Sequence, residues 1–259
     1  MMRKGNVNIF VVLVIDALLM LGIILIFLPY IKNSLIGISV TQNRMVQVDT
    51  IPKNIPDEEK IQPIKLADVF NRTTQVKNVY GSIGIESLDW EEPLLIGITN
   101  ENLSVGGVVF YPERTVDRHN VVIAGHHLGI TQLLFGPLTK AKVGDIAHLV
   151  YLKTEAFYQI TAIKEVVETD LSVLRDNGKS ELTLITCKTP QRTNQRLVLQ
   201  GKKISITTAQ QLRKEAPKQK QGINQATYGV VISWIWIAVI WLLIIIVISL
   251  KHYLLRKIK

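Results

Sequence analysis

Between Gly81 and Gly201 the chain is built from short apolar runs separated by turn residues. They read "SIGIE", "PLLIG", "GVVFY", "NVVIAG", "IAHLVYL", "FYQITAIKEVV", "ELTLITC" and "RLVLQG". Each is rich in Val, Ile, Leu or aromatic residues, and most are too short for a stable helix. Eight such segments with little helix between them predict an all-β barrel or sandwich. The one convincing helical interruption is "ITQLLFGPLTKAK".

Two longer apolar runs flank this region. Ile9 to Leu28 reads "IFVVLVIDALLMLGIILIFL" and Val230 to Leu250 reads "VVISWIWIAVIWLLIIIVISL". About 20 residues at a rise of ~1.5 Å each span a ~30 Å hydrocarbon core, so both runs are expected to be transmembrane helices. The first exceeds a signal-peptide core and lacks a small-x-small cleavage site, which makes it a retained anchor. Arg3 and Lys4 precede it, and Lys251, Arg256, Lys257 and Lys259 follow the second run. Both termini are therefore expected in the cytoplasm, with the middle of the chain outside. Arg213, Lys214, Lys218 and Lys220, just before the second run, weaken that charge asymmetry.

The expected organisation is a cytoplasmic tail and anchor over 1–30, then an extracellular linker and helical segment over 31–80. The β domain covers 81–207, a polar spacer 208–228, a transmembrane helix 229–251 and a basic cytoplasmic tail 252–259. The linker carries three prolines in "IPKNIPDEEKIQP", and a short helix is expected near "LADVFNRTTQV". The net charge is +9. No nucleic-acid partner is expected; membrane lipid is. No phosphate-binding glycine loop and no metal-ligand spacing occurs.

Cys187 is the only cysteine, so no intramolecular disulfide can form. A lone thiol outside the cell is exposed to oxidation, and it is either buried and inert or kept as a nucleophile. It closes "TLITC", His126 and His127 close "VVIAGHH", and Arg196 follows Cys187 by nine residues. Each lies at or beside the end of a strand-like run, and strand ends in a barrel can converge on one face. A thiolate can attack a carbonyl, an imidazole can move protons, and a guanidinium can donate to a developing oxyanion.

The order strand–Gly-His, Thr-Leu-x-Thr-Cys, Arg heading a strand resembles the sortases, bacterial cell-surface cysteine transpeptidases. The likeness runs from about Gly81 to Ile206. It includes "GSIGIESLDWEEPLLIGITNENLSVGGVVFYPE" and "LLFGPLTKAKVGD". It implies a mainly β fold, an eight-stranded sortase-type β-barrel with short helices, flanked here by the two transmembrane helices. By position, Cys187 is the implied nucleophile, His126 the proton-transfer residue and Arg196 the group supporting the tetrahedral intermediate. Thr186 is a candidate for the oxyanion site. Arg192 is a weaker candidate for the arginine role, and His127 receives none.

The implied reaction cleaves a Leu-Pro-x-Thr-Gly sorting signal between Thr and Gly through a thioacyl intermediate on Cys187. An amine resolves it, from a peptidoglycan precursor or a pilin lysine. No cofactor is required. With reference pKa values near 8.5 for Cys and 6.5 for His, thiolate and imidazolium coexist in roughly 1% of molecules at pH ~7.5. The first anchor and "GHH" resemble class A enzymes. The second anchor and the Pro190-containing loop resemble class C, the pilin polymerases, whose lid carries an Asp-Pro-aromatic motif; no Asp-Pro dipeptide occurs here. The expectation is a class A-like enzyme with an added C-terminal anchor. A non-enzymatic tethered binding module is the alternative of another kind.

Overall fold

In a computed structural model of the chain, all eight runs are strands of one closed barrel. The structure describes residues 44–62, 76–128, 134–190 and 193–215, together with positions 10, 14, 17, 18, 21, 22, 25, 239, 240, 243, 244 and 247. Those isolated positions are helical. They belong to a compact unit of residues 1–36 and 226–259, separate from that of 37–225. The two expected spans otherwise lie outside the described residues, as do Arg192 and most of the helix expected near 66–76. Among the described residues no helix is long and apolar enough to cross a membrane.

The strands are β1 (Arg44–Gln47), β2 (Val76–Val79), β3 (Gly81–Ile85), β4 (Trp90–Ile96), β5 (Gly107–Val109), β6 (Asn120–Ala124), β7 (Ile146–Tyr151), β8 (Thr154–Val167), β9 (Glu181–Cys187) and β10 (Gln195–Ile204). The barrel closes in the order β10-β8-β7-β3-β4-β5-β6-β9. The pairs β4–β5 and β6–β9 are parallel, and the rest are antiparallel. Closure leaves no open sheet edge. The parallel step from β4 to β5 is bridged by a single helical turn, α1 (Asn100–Leu103), capped by the Thr99 side chain accepting from the Asn102 amide.

Side chains alternate along each strand, and one set fills the barrel. Ile83, Ile85, Trp90, Leu94, Ile96, Val121, Ile123, Leu149, Tyr158, Leu182, Leu184 and Leu199 form its core. The buried hydroxyls are used: Tyr151 donates to Pro112 O at 2.9 Å, and Tyr158 to Val116 O at 3.3 Å. These two bonds tie the β5–β6 connection to the barrel. A bulge at Gln200/Gly201 shifts the β8–β10 register and lets this long strand pair bend around the core.

The helix expected over "ITQLLFGPLTKAK" is, among the described residues, a single 3₁₀ turn from Gly136 to Lys140. Pro137 has no amide to extend a helix backwards. Leu134 adopts a left-handed φ of 49°. Leu134, Phe135 and Leu138 are fully or almost fully buried, so this segment packs inward where an amphipathic helix would cover a surface.

The region around the barrel carries more regular structure than its polar composition implies. β1 and β2 pair in parallel. Residues 59–62 dock on α1: Glu59 N–H donates to Ile98 O, and its carboxylate accepts from the Asn100 backbone and side chain. After β10 the chain enters α2 (Ile206–Glu215), whose Ala209 packs with Ile146 and Phe157.

Candidate active site

β9 brings Cys187 to its end, and β10 places Arg196 directly opposite it in antiparallel register. Directly paired residues share a face of the sheet, so thiol and guanidinium lie on the same side. Leu182 and Leu184 point into the core, as do Leu197 and Leu199. Cys187 and Arg196 have the opposite parity and sit on the outer face of the wall.

β6 runs parallel to β9 with Ala124 beside Ile185, and Gly125 N–H continues the ladder to Ile185 O at 3.1 Å. The next residue, His126, is therefore level with Cys187. Val121 and Ile123 face inward, which gives His126 outward parity. The β9–β10 wall thus carries Cys187 and Arg196 side by side, and His126 follows the end of the neighbouring strand β6.

Gly125 is required for this arrangement. A Cβ there would stand 2.1 Å from Phe135 Cδ2, well inside van der Waals contact. Phe135 fills the barrel mouth beneath it, with its ring edge-to-face to Trp90 at 5.1 Å. Phe135 N–H also donates to His126 O at 3.0 Å. Thr186 is 2% exposed, and its hydroxyl donates to Gly125 O at 2.8 Å. Its only hydroxyl proton is thereby committed to bracing β6, and the side chain lies on the inward face, away from the Cys187 thiol.

His126 Nε2 is sealed from solvent and has no hydrogen-bond partner among the described residues. Burial pulls the imidazole down to about pKa 4, because the charged form loses its hydration. Burial also raises the Cys187 thiol above its ordinary value; the Arg196 charge opposes that rise, and the Glu168 carboxylate adds to it. Both groups are uncharged at neutral pH. The thiolate–imidazolium pair is consequently rarer than reference pKa values imply.

His127 does more than its sequence position indicated. Its Nδ1 lies 2.9 Å from the Cys187 carbonyl oxygen, so this imidazole ties the β6 end to the nucleophile's backbone. Adjacency to His126 was the only signal available in the sequence. Arg196 is also positioned: Nη2 donates to Glu168 Oε2 at 2.6 Å and Nη1 to Thr193 O at 2.7 Å. Glu168 N–H donates to Asn194 O, closing the same corner. The two other described histidines take other parts. His148 stacks on Phe157 at 4.7 Å and pairs with Glu155, and His119 is bound to Thr115.

Comparison with known proteins shows the family of the chain. The Sortase domain family matches residues 83–204. The chain is 31% identical over 193 residues to Sortase A of Listeria monocytogenes, covering 71% of this chain and 87% of that protein. It is 33% identical over 145 residues to Sortase A of Bacillus anthracis, covering 56% and 69% respectively. A crystal structure of the Listeria monocytogenes sortase A superposes with a TM-score of 0.46 at 31% identity, covering 55% of this chain and 99% of that one. With that kinship to the Listeria monocytogenes protein and the match to the Sortase domain, the chain belongs to the sortase family of cysteine transpeptidases.

Proposed function

We propose that this sortase cleaves a Leu-Pro-x-Thr-Gly-type sorting signal between Thr and Gly and transfers the acyl product to an amine. The observation that carries the reading is the direct pairing of Cys187 with Arg196 across β9 and β10, with His126 two residues past the end of the neighbouring strand β6. His126 begins neutral and takes the thiol proton as sulfur attacks the Thr carbonyl. Arg196 donates to the oxygen as its charge develops. Collapse of the tetrahedral intermediate breaks the Thr–Gly amide and leaves a thioester on Cys187. His126 returns its proton to the departing glycine amine. The incoming amine then reverses these roles, losing its proton to His126 as the thiolate leaves.

The acceptor we infer is a peptidoglycan-precursor amine, making this a class A-like wall-anchoring enzyme. The kinship with two proteins named Sortase A supports that choice. We further infer that the runs at Ile9–Leu28 and Val230–Leu250 anchor both ends in the membrane, with the barrel outside and the termini in the cytoplasm. The experiment offers the full chain, in detergent or vesicles, a Leu-Pro-x-Thr-Gly peptide with two competing nucleophiles, a cross-bridge peptide and a pilin lysine segment. Transfer to the cross-bridge amine supports the reading. Preferential transfer to lysine identifies a pilin polymerase, and Cys187-independent binding without cleavage identifies a tethered binding module.

A further inference from the structure

Inside the barrel mouth sits a carboxyl group that the reaction above does not use. Glu92 shares its strand parity with Trp90, Leu94 and Ile96, which all belong to the core, and it is only 4% exposed. Its register partner on β3 is Ile83, itself fully buried. A carboxyl group here costs stability that a leucine of similar size would not.

Glu92 and Trp90 converge on one residue. The Trp90 indole N–H donates to Leu134 O at 2.5 Å. The Leu134 backbone amide hydrogen-bonds the Glu92 carboxyl. Both backbone polar groups of Leu134 are thus held by side chains two apart on β4. Leu134 forms an isolated antiparallel bridge with His127 and has a left-handed φ of 49°, outside any strand ladder. The next residue, Phe135, donates to His126 O and fills the space under Gly125.

We propose that Glu92 is a positioning residue for His126: with Trp90 it clamps Leu134, and the Leu134–Phe135 pair in turn fixes the backbone of His126 and His127 at the barrel mouth. Burial pushes the Glu92 carboxyl up to about pKa 8, so at neutral pH it acts as an uncharged hydrogen-bonding group. Glutamine reproduces that group, and leucine reproduces only its bulk. A residue present for packing alone would tolerate leucine best; a clamp is restored by glutamine.

The test compares Glu92→Leu with Glu92→Gln in the full chain by melting, amide hydrogen exchange and steady-state transfer. The kinetic arm rests on the sorting-signal reaction proposed above, and the exchange arm does not. Glu92→Leu is expected to melt at or above the parent temperature while the Leu134 and Phe135 amides exchange faster. Its kcat is expected to fall about 10–100-fold with little change in KM, since the histidine backbone is displaced and the substrate groove is not. Glu92→Gln restores both exchange and kcat to within about threefold of the parent, because the Leu134 amide keeps an acceptor. Wild-type exchange at Leu134 in the leucine variant overturns the clamp whatever the kinetics; faster exchange with parental kcat overturns its role in positioning His126. If the parent turns over no sorting-signal peptide, the substrate reading fails and the exchange comparison still decides the clamp. Should Glu92→Leu not fold, Trp90→Phe removes the other hold on Leu134 and is expected to raise the same amide exchange; unchanged exchange there also overturns the proposal.

Discussion

Protonating His126 should destabilise the barrel by an amount that follows from its pKa. Its folded pKa of about 4 lies below an unfolded value near 6.5, so the unfolded chain binds more protons in that window. The neutral histidine therefore contributes stability that is fully present above about pH 6.5 and lost as pH falls towards 4. Each pKa unit corresponds to ~1.4 kcal/mol, and integrating from pH 7.5 to 4.5 gives a loss of about 2.5 kcal/mol. Glu92 has the opposite sign: its folded pKa is raised, so its penalty grows as pH rises from about 4.5 to 8. Wild-type stability against pH thus mixes the two. His126→Gln isolates one, because the Glu92 contribution is common to both proteins and cancels in the difference. Urea unfolding of both proteins at pH 7.5 and 4.5 should show the wild type losing about 2.5 kcal/mol relative to the variant. A relative change below about 0.5 kcal/mol would refute the burial argument and put His126 in solvent contact.

Gly125→Ala drives a methyl group into the buried Phe135 ring, and it should cost about 1–3 kcal/mol in a melting experiment together with most transfer activity; an unchanged melting temperature would contradict the packing beneath His126. Arg196→Met removes the charge that lowers the Cys187 pKa, so the pH of half-maximal iodoacetamide alkylation should rise. Glu168→Gln removes a carboxylate that raises it, so that midpoint should fall; a rise would mean that Glu168 matters more through holding Arg196. Arg196→Lys should lower turnover about 10²–10³-fold, since an ammonium cannot reproduce the guanidinium fork.

Much of the barrel was legible because its strands are short, β-branched and separated by turn residues, so that composition and spacing point the same way. The Cys187–Arg196 pairing was partly legible too, since a strand ending in one residue and a strand beginning with the other suggest a hairpin. The register that puts them opposite each other is a tertiary fact. "ITQLLFGPLTKAK" misled because its apolar spacing suits a helix, whereas Leu134 and Phe135 are drawn into the mouth by Trp90 and Gly125. The hydroxyl of Thr186 was readable as an oxyanion donor until its partner, Gly125 O, was known. Glu92 left a faint signal: in "WEEPLL" it stands in phase with Trp90 and Leu94, the inward positions of β4. The His127 contact left only its adjacency to His126, because its partner is a backbone carbonyl sixty residues away.

The central claim is that Cys187 carries the acyl group. Incubating the full chain with a Leu-Pro-x-Thr-Gly peptide in the absence of an amine acceptor, quenching in acid and measuring the intact mass tests it directly. The account predicts an added mass equal to the peptide acyl fragment ending in Thr. Digestion should locate it on Cys187, hydroxylamine should release it, and Cys187→Ala should lack it while melting as the parent does. Cleavage of the peptide at an undiminished rate by Cys187→Ala, or an acyl adduct on any other residue, would contradict the account.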